Sequence, residues 1–125
     1  MAELLARSAA SVLASLPVVS SVRGRVHEAV LMRMPQGLPQ MAEVARALDT
    51  TTRTLRRWLA AEELTFESVR DEALLAIARD RLADPRSSMA EIAYLLGFSD
   101  LRAFHRAFKR WTGVTPGQYR RTLGG

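Results

Sequence analysis

Cysteine is absent from this chain, and histidine occurs only twice, as His27 and His105. Without cysteine the protein has no disulfide, no thiolate nucleophile and no cysteine-bearing zinc site, a composition compatible with a reducing compartment. The two histidines are far apart in the sequence and are predicted to lie on different helices, which makes a poor ligand set for a metal ion. We therefore expect neither a metal nor any other cofactor.

Long hydrophobic runs are also missing. No apolar segment approaches the ~18 residues that a membrane-spanning helix needs. The N-terminal segment contains Glu3 and Arg7 and continues without a strong apolar stretch, which distinguishes it from a secretion signal. These absences predict a cytoplasmic protein with no membrane partner.

Catalytic constellations are absent as well. The acidic residues are dispersed, no glycine-rich phosphate loop occurs, and serine and threonine stand mainly where helices need N-caps. The sequence therefore predicts that this chain is not an enzyme.

The basic charge is almost entirely arginine, because Lys109 is the only lysine, and the net charge is +5. Its distribution is uneven. Residues 50–61 carry three arginines and no acid, and residues 101–121 carry six basic residues and no acid, whereas residues 62–84 carry seven acidic and three basic residues. An ordinary solvated helix face mixes both signs, so these single-sign segments favour a polyanionic partner.

A stripe of basic residues occurs twice, and the two copies are related by a shift of 49 positions. At 3.6 residues per turn each copy occupies one face of a helix. A short helical segment precedes each copy, MAEVARAL from residue 41 and MAEIAYLL from residue 89. The pattern predicts a duplicated helix-turn-helix, which indicates DNA binding. The stripe residues are Arg53, Arg56 and Arg57 in the first copy, and Arg102, His105, Arg106 and Lys109 in the second.

The apolar periodicity predicts an all-α fold with two helix-turn-helix subdomains joined by a long linker helix, since no strand pattern of comparable strength occurs. We expect a leader segment in residues 1–19, with a helix over residues 2–16, and a DNA-binding domain in residues 20–125. Within that domain a helix over 21–34 comes first and a short one opens at Pro116. The larger units are the first helix-turn-helix at about 41–61, the linker helix at about 65–83 and the second helix-turn-helix at about 89–112.

Local signals fix the ends and faces of these helices. The predicted N-caps are Ser20, Thr51, Thr65, Ser88 and Ser99. Gly97 fits a left-handed turn position in the second unit, and Asp49 occupies the matching place in the first. By helical phase the inward residues include Leu55, Leu59, Phe104 and Phe108, together with Trp58 and Trp111.

Candidate DNA-contacting residues lie on the second helix of each unit. Arginine can donate twice to guanine O6 and N7, and further basic groups bind phosphates. Thr52 and Leu101 are placed to reach base edges or a thymine methyl group. Asp100 either reaches a base or only stabilises the positive end of its helix, and His105 is either a contact or an ordinary surface histidine. The candidates are Thr52, Arg53, Arg56, Arg57, Asp100, Leu101, Arg102, His105, Arg106 and Lys109.

The second half of the chain strongly resembles the C-terminal DNA-binding domain of the AraC/XylS family of bacterial transcription regulators. The resemblance rests on residues 92–121, IAYLLGFSDLRAFHRAFKRWTGVTPGQYRR. Residues 44–66, VARALDTTTRTLRRWLAAEELTF, also resemble that family, so about 20–123 is covered. The markers are Ala93, Gly97-Phe98, Phe104, Arg106-Ala107-Phe108, Gly113, Pro116 and Tyr119-Arg120.

This resemblance implies two helix-turn-helix subdomains on one long helix, each with a recognition helix in a major groove. Asp49 and Glu63 depart from the family, which more often has glycine at or near these places. Full-length members usually have an upstream sensing or dimerisation domain, and residues 2–16 are expected to be the last helix of one. The positions that match DNA-reading residues are Thr52, Arg53, Arg56 and Arg57 in the first unit, and Leu101, Arg102, His105 and Arg106 in the second.

The sequence thus predicts specific binding to double-stranded DNA and regulation of transcription. RNA polymerase is the second expected partner; this segment is expected to be monomeric, and a full-length protein dimeric. The alternative is a helical protein-interaction module, for example one that contacts RNA polymerase without reading DNA. Charge distinguishes the two, because a protein interface has an apolar centre whereas these stripes are rich in arginine.

Overall fold

The computed structural model of this chain describes residues 21–34 and 36–124. The predicted helix over residues 2–16 and the predicted cap Ser20 lie outside the described residues. Within those ranges the chain forms seven α-helices and no strand, which confirms the predicted all-α fold. The helices are α1 Val22–Arg33, α2 Met41–Ala47, α3 Thr52–Ala61, α4 Phe66–Leu82, α5 Met89–Leu95, α6 Leu101–Thr112 and α7 Pro116–Gly124.

Side-chain caps begin most of these helices. Thr51 accepts a hydrogen bond from the backbone N–H of Thr54, and Thr65 and Ser88 form capping boxes at α4 and α5. These three caps were predicted from the sequence, and the predicted linker helix coincides with α4. Such caps satisfy backbone donors that have no partner within the helix.

Two predicted helix starts are wrong by one residue. Ser21 caps α1 by accepting a hydrogen bond from the N–H of Gly24. Asp100, instead of Ser99, caps α6, and its Oδ1 accepts from the N–H of Ala103 at 2.8 Å. Adjacent polar residues compete for this position, and the cap is the one whose oxygen reaches the N–H three residues ahead.

The linker helix α4 is central, with α1 packed along it. Leu55 and Leu59 fill the core of the first helix-turn-helix, which is formed by α2 and α3. The core of the second unit, formed by α5 and α6, is aromatic: Phe104 and Phe108 are fully buried. The ring centroid of Phe108 lies 5.5 Å from that of Tyr119 on α7. The basic faces of α3 and α6 are therefore fixed by buried side chains on the opposite faces.

Trp58 does not lie in the core as predicted, because 38% of its surface is exposed. The helical phase explains the error. At about 100° per residue, Trp58 is rotated ~60° from Leu55 and ~100° from Leu59, which places it at the edge of the buried face. Trp111 is partly buried against the core, as predicted.

Left-handed backbone at four positions ends or turns these helices. Asp49 and Gly97 occupy matching turns of the two units with φ angles of 61° and 90°, as the sequence predicted. Gly113 ends α6 with a φ of 89°. Glu63, between α3 and α4, has a φ of 60°. Non-glycine residues adopt this conformation at an energetic cost. The backbone is therefore strained at Asp49 and Glu63, at or near places where the family that this sequence resembles more often has glycine.

Replacing Glu63 by glycine is expected to raise the free energy of unfolding by up to ~1 kcal/mol. Relief of the left-handed strain outweighs the extra chain entropy that glycine gives the unfolded state. Asp49→Gly should stabilise less, because aspartate tolerates this conformation better. Thermal unfolding of the two variants beside the parent measures both effects, and a lower melting temperature for Glu63→Gly would contradict the strain.

Candidate nucleic-acid interface

The outer face of α3 presents Arg53 and Arg57, which are exposed on the side opposite buried Leu55 and Leu59. Arg56 is also exposed, but it lies on the flank of the helix, where its Nη2 approaches Met41 Sδ of α2 at 3.7 Å. Thr52, in the first turn, is half-buried. The first stripe therefore has two central arginines and one at its edge.

The outer face of α6 presents Arg102, Arg106 and Lys109, all exposed and opposite buried Phe104 and Phe108. Leu101, in the first turn, is 39% exposed and apolar. Arg110 is exposed at the edge of the same face. Sequence reasoning did not name Arg110 as a candidate, although it falls within the acid-free segment.

Two candidate residues of the second unit have their polar atoms engaged or enclosed. The carboxylate of Asp100 caps α6, which is the second of the two roles that the sequence left open. His105 is half-buried, and its Nε2 is enclosed with no hydrogen-bond partner among the described residues. In this conformation His105 does not present Nε2 to a ligand, unlike the three basic side chains beside it.

The stripe cations are free of acidic partners. In the ranges that the structure describes, no side-chain hydrogen bond or ion pair links Arg53, Arg57, Arg102, Arg106 or Lys109 to another residue. All five residues are exposed. An intramolecular partner would have to be displaced before an arginine could bind an anion, so unpaired donors favour an external polyanion.

Several acidic groups lie elsewhere and pair with other arginines. Glu72 of α4 pairs with Arg23 of α1, and Glu43 accepts from Arg33 at 2.5 Å. Between α4 and α5, hydrogen bonds from the side chain and backbone of Arg86 lower the pKa of Asp84. The charges are thus separated: acids collect around α4 and its neighbours, while α3 and α6 present only cations.

Arg120 has a contact that the sequence did not reveal. Its Nε donates to the carbonyl of Leu82 at 3.0 Å, and its Nη2 donates to the carbonyl of Asp84 at 3.1 Å. These partners precede Arg120 by 38 and 36 residues, so no local sequence pattern predicts the contact. Arg121, the next residue, is exposed.

The described part of the chain has neither a cluster of metal ligands nor a membrane-spanning helix. No group of three or more histidine, aspartate or glutamate side chains there is arranged to hold a metal ion. Among the described helices, none combines the length and the apolar character that crossing a membrane requires.

Comparison with known proteins identifies related sequences. The family model for the helix-turn-helix domain matches residues 44–122. The chain is 38% identical over 110 residues to the ornithine utilization regulator of Pseudomonas aeruginosa, covering 88% of this chain and 32% of that protein. The chain thus spans about a third of the length of the curated relatives it matches.

Solved structures show the same arrangement of helices. The transcriptional regulator CdpR from Pseudomonas aeruginosa is 38% identical, with a TM-score of 0.72 over 82% of this chain and 32% of that one. A transcriptional regulator with an AraC-type DNA-binding domain from Chromobacterium violaceum has a TM-score of 0.70 over 89% of this chain and 96% of that one, at 18% identity. The second likeness shows the fold alone.

Proposed function

Since this chain belongs to the AraC-type family of helix-turn-helix, DNA-binding transcription regulators, we propose that one copy of it reads two successive major-groove segments on one face of double-stranded DNA. One recognition helix is α3 and the other is α6. The observation that carries this proposal is the pair of exposed, unpaired and acid-free basic faces, one on the second helix of each unit.

The proposed contacts follow from exposure and side-chain chemistry. Arg53 and Arg57 of α3, and Arg102 and Arg106 of α6, face outward and are assigned to base edges and adjacent phosphates. Arginine can donate two parallel hydrogen bonds to guanine, which gives specificity as well as affinity. These four residues form the reading set.

The remaining candidates have supporting roles. Arg56 and Lys109 bind phosphates from the edges of their helices, and Thr52 and Leu101 contact bases from the first turns, where recognition helices approach the groove. Asp100 acts by capping α6. We propose that the ring of His105 contributes to the DNA-contacting face of α6, while its Nε2 stays turned inward.

The length of α4 fits two adjacent grooves. It has 17 residues, which at 1.5 Å per residue span ~25 Å. With the width of the flanking helices added, we estimate a separation of ~30–35 Å between α3 and α6, close to the ~34 Å between successive major grooves on one face. The two stripes differ in sequence, so the site needs no palindromic symmetry.

Further partners of the whole protein belong to the same proposal. We assign RNA polymerase as the second partner, and we place the regulator in the cytoplasm. This segment is proposed to bind DNA as a monomer, and a longer, full-length protein is proposed to form a dimer. The support is the presence of both recognition helices in one chain and the transcription regulators among its relatives. Sedimentation of this segment with and without its DNA site measures the stoichiometry.

Selection of bound duplexes from a random pool tests the function. The expected product has two short conserved blocks ~10 base pairs apart, unlike each other in sequence. If the selected duplexes share only one conserved block, only one of the two units reads DNA. If they share no conserved sequence, the chain does not bind DNA specifically.

Replacing Arg57 or Arg106 by alanine is expected to weaken binding to the selected site by ~1–3 kcal/mol, because each change removes a base contact. Arg57→Ala should relax the preference in one block and Arg106→Ala in the other, with the melting temperature unchanged because both side chains are exposed. Titration against the selected site and its single-base variants measures this.

Arg25→Ala is the matched control, since it removes one exposed arginine from α1. It should leave the base preferences of both blocks intact. A variant of Arg57 or Arg106 that binds as tightly and as selectively as the parent would remove that arginine from the reading set.

A further inference from the structure

The connection between α4 and α5 joins the second unit to the linker helix along the chain. It comprises residues 83–88, and Ala83, Pro85 and Arg86 within it are exposed. A long helix fixes the distance between the elements that it joins only as far as its own C-terminal end. The orientation of α6 relative to α3 therefore depends on the packing of α5, α6 and α7 against α4 and on further contacts near this connection.

Arg120 of α7 makes one such contact. Its guanidinium donates to the carbonyl of Leu82, the last residue of α4, and to the carbonyl of Asp84 within the connection. The carbonyl of Leu82 belongs to the last turn of α4, where carbonyls have no partner within the helix, whereas that of Asp84 also accepts a hydrogen bond from the N–H of Ser87 at 3.0 Å. A cation at this end also interacts favourably with the helix dipole. The neighbouring Tyr119 packs its ring on Phe108 of α6. Through these two adjacent residues, α7 joins the recognition helix α6 to the end of α4.

A second contact involves the turn of the same unit. The turn at Gly97 approaches the backbone of the loop between α1 and α2 so closely that a Cβ on Gly97 would lie 2.5 Å from the carbonyl carbon of Gly37. It would also lie 2.7 Å from the backbone nitrogen of Leu38. This loop leads directly into the first helix-turn-helix, so the second unit also touches the segment that precedes the first unit.

We propose that Arg120 is a positioning residue, which sets the spacing and orientation of the second recognition helix relative to the first without contacting DNA. The proposal rests on the proposed function, because it concerns how the two faces are presented to one duplex. Loss of Arg120 leaves each unit able to bind its own block. It lowers the effective concentration of one unit at its block once the other is bound, because more orientations become accessible.

The test measures affinity for duplexes in which the distance between the two selected blocks is varied, and for duplexes with a single block. For the parent, affinity should peak sharply at one spacing. For Arg120→Ala, affinity at that spacing should fall on the order of tenfold, the dependence on spacing should flatten, and single-block affinity should stay unchanged. Arg121→Ala, which removes the adjacent exposed arginine, should keep the parent's sharp dependence.

Other outcomes overturn the proposal in distinguishable ways. An Arg120→Ala protein with the parent's spacing dependence shows that Arg120 does not position the second unit. An equal loss on single-block and two-block duplexes makes Arg120 a phosphate contact. A parent that binds single-block and two-block duplexes equally well overturns the proposed function itself, and this inference with it.

If Arg120→Ala is less stable than the parent, a distance measurement without DNA still tests the positioning role. The chain has no cysteine, so cysteines introduced at exposed Ala61 and Arg110 can be spin-labelled selectively. The distribution of distances between the two labels should be narrow in the otherwise unchanged chain and broader with Arg120→Ala, at a temperature where circular dichroism shows both proteins folded. Equal widths would contradict the positioning role.

Discussion

Replacing Phe108 by alanine is expected to lower the free energy of unfolding by ~3–5 kcal/mol, because it empties a fully buried site. Phe108 has no exposed surface, and its ring contacts Phe104, Trp111 and Tyr119 at centroid distances of 6.0, 6.4 and 5.5 Å. The substitution therefore removes the centre of the aromatic core that fixes α6 and α7. For a domain of this size the melting temperature should fall on the order of 15 °C, measurable by circular dichroism.

The matched control is Leu101→Ala on the same helix, where the side chain is 39% exposed. Its effect on stability should be much smaller, because much less apolar surface is lost from the interior. A Phe108→Ala protein that melts at the parent's temperature would show that the buried face of α6 is assigned to the wrong residues.

DNA binding is expected to depend steeply on salt. Each phosphate neutralised by a cation releases bound counterions, so log K falls with log salt at a slope near −0.9 per phosphate contact on duplex DNA. With contacts on the order of 4–8 from two basic helices, affinity should fall by about 10² to 10⁴ between 50 and 200 mM salt. Titration at several salt concentrations gives the slope.

Charge variants refine this prediction. Lys109→Ala removes one proposed phosphate contact and should reduce the magnitude of the slope by ~1. A salt response that is flat, or an absence of DNA binding at low salt, would contradict an arginine-based interface and would favour a protein-interaction surface.

Much of the fold could be predicted because its signals are local. The caps at Thr51, Thr65 and Ser88 act over three residues, and the apolar period of α4 extends over its whole length. The left-handed turns at Asp49 and Gly97 follow from residue type and from the internal duplication. Family membership, also predicted from the sequence, is confirmed by the comparisons.

The error at Trp58, and the features that the sequence did not reveal, arise where a neighbour in space decides. Whether Trp58 is buried depends on how far the core extends around α3, which helical phase does not determine. The inward Nε2 of His105 depends likewise on packing around α6. The contact of Arg120 with the end of α4 joins residues 36 and 38 positions apart, and no spacing rule connects them. The assignment of individual DNA contacts stays a prediction.

The most direct test of the central claim, that one copy of this chain reads two adjacent major-groove segments, is its affinity for the selected site with and without ~5 base pairs inserted between the blocks. Such an insertion is about half a helical turn and moves one block to the far face of the duplex. Two units held in a fixed relation then reach only one block, so we predict that affinity falls to that of a single-block duplex. Undiminished affinity after the insertion would contradict the claim and leave only one unit as the reader.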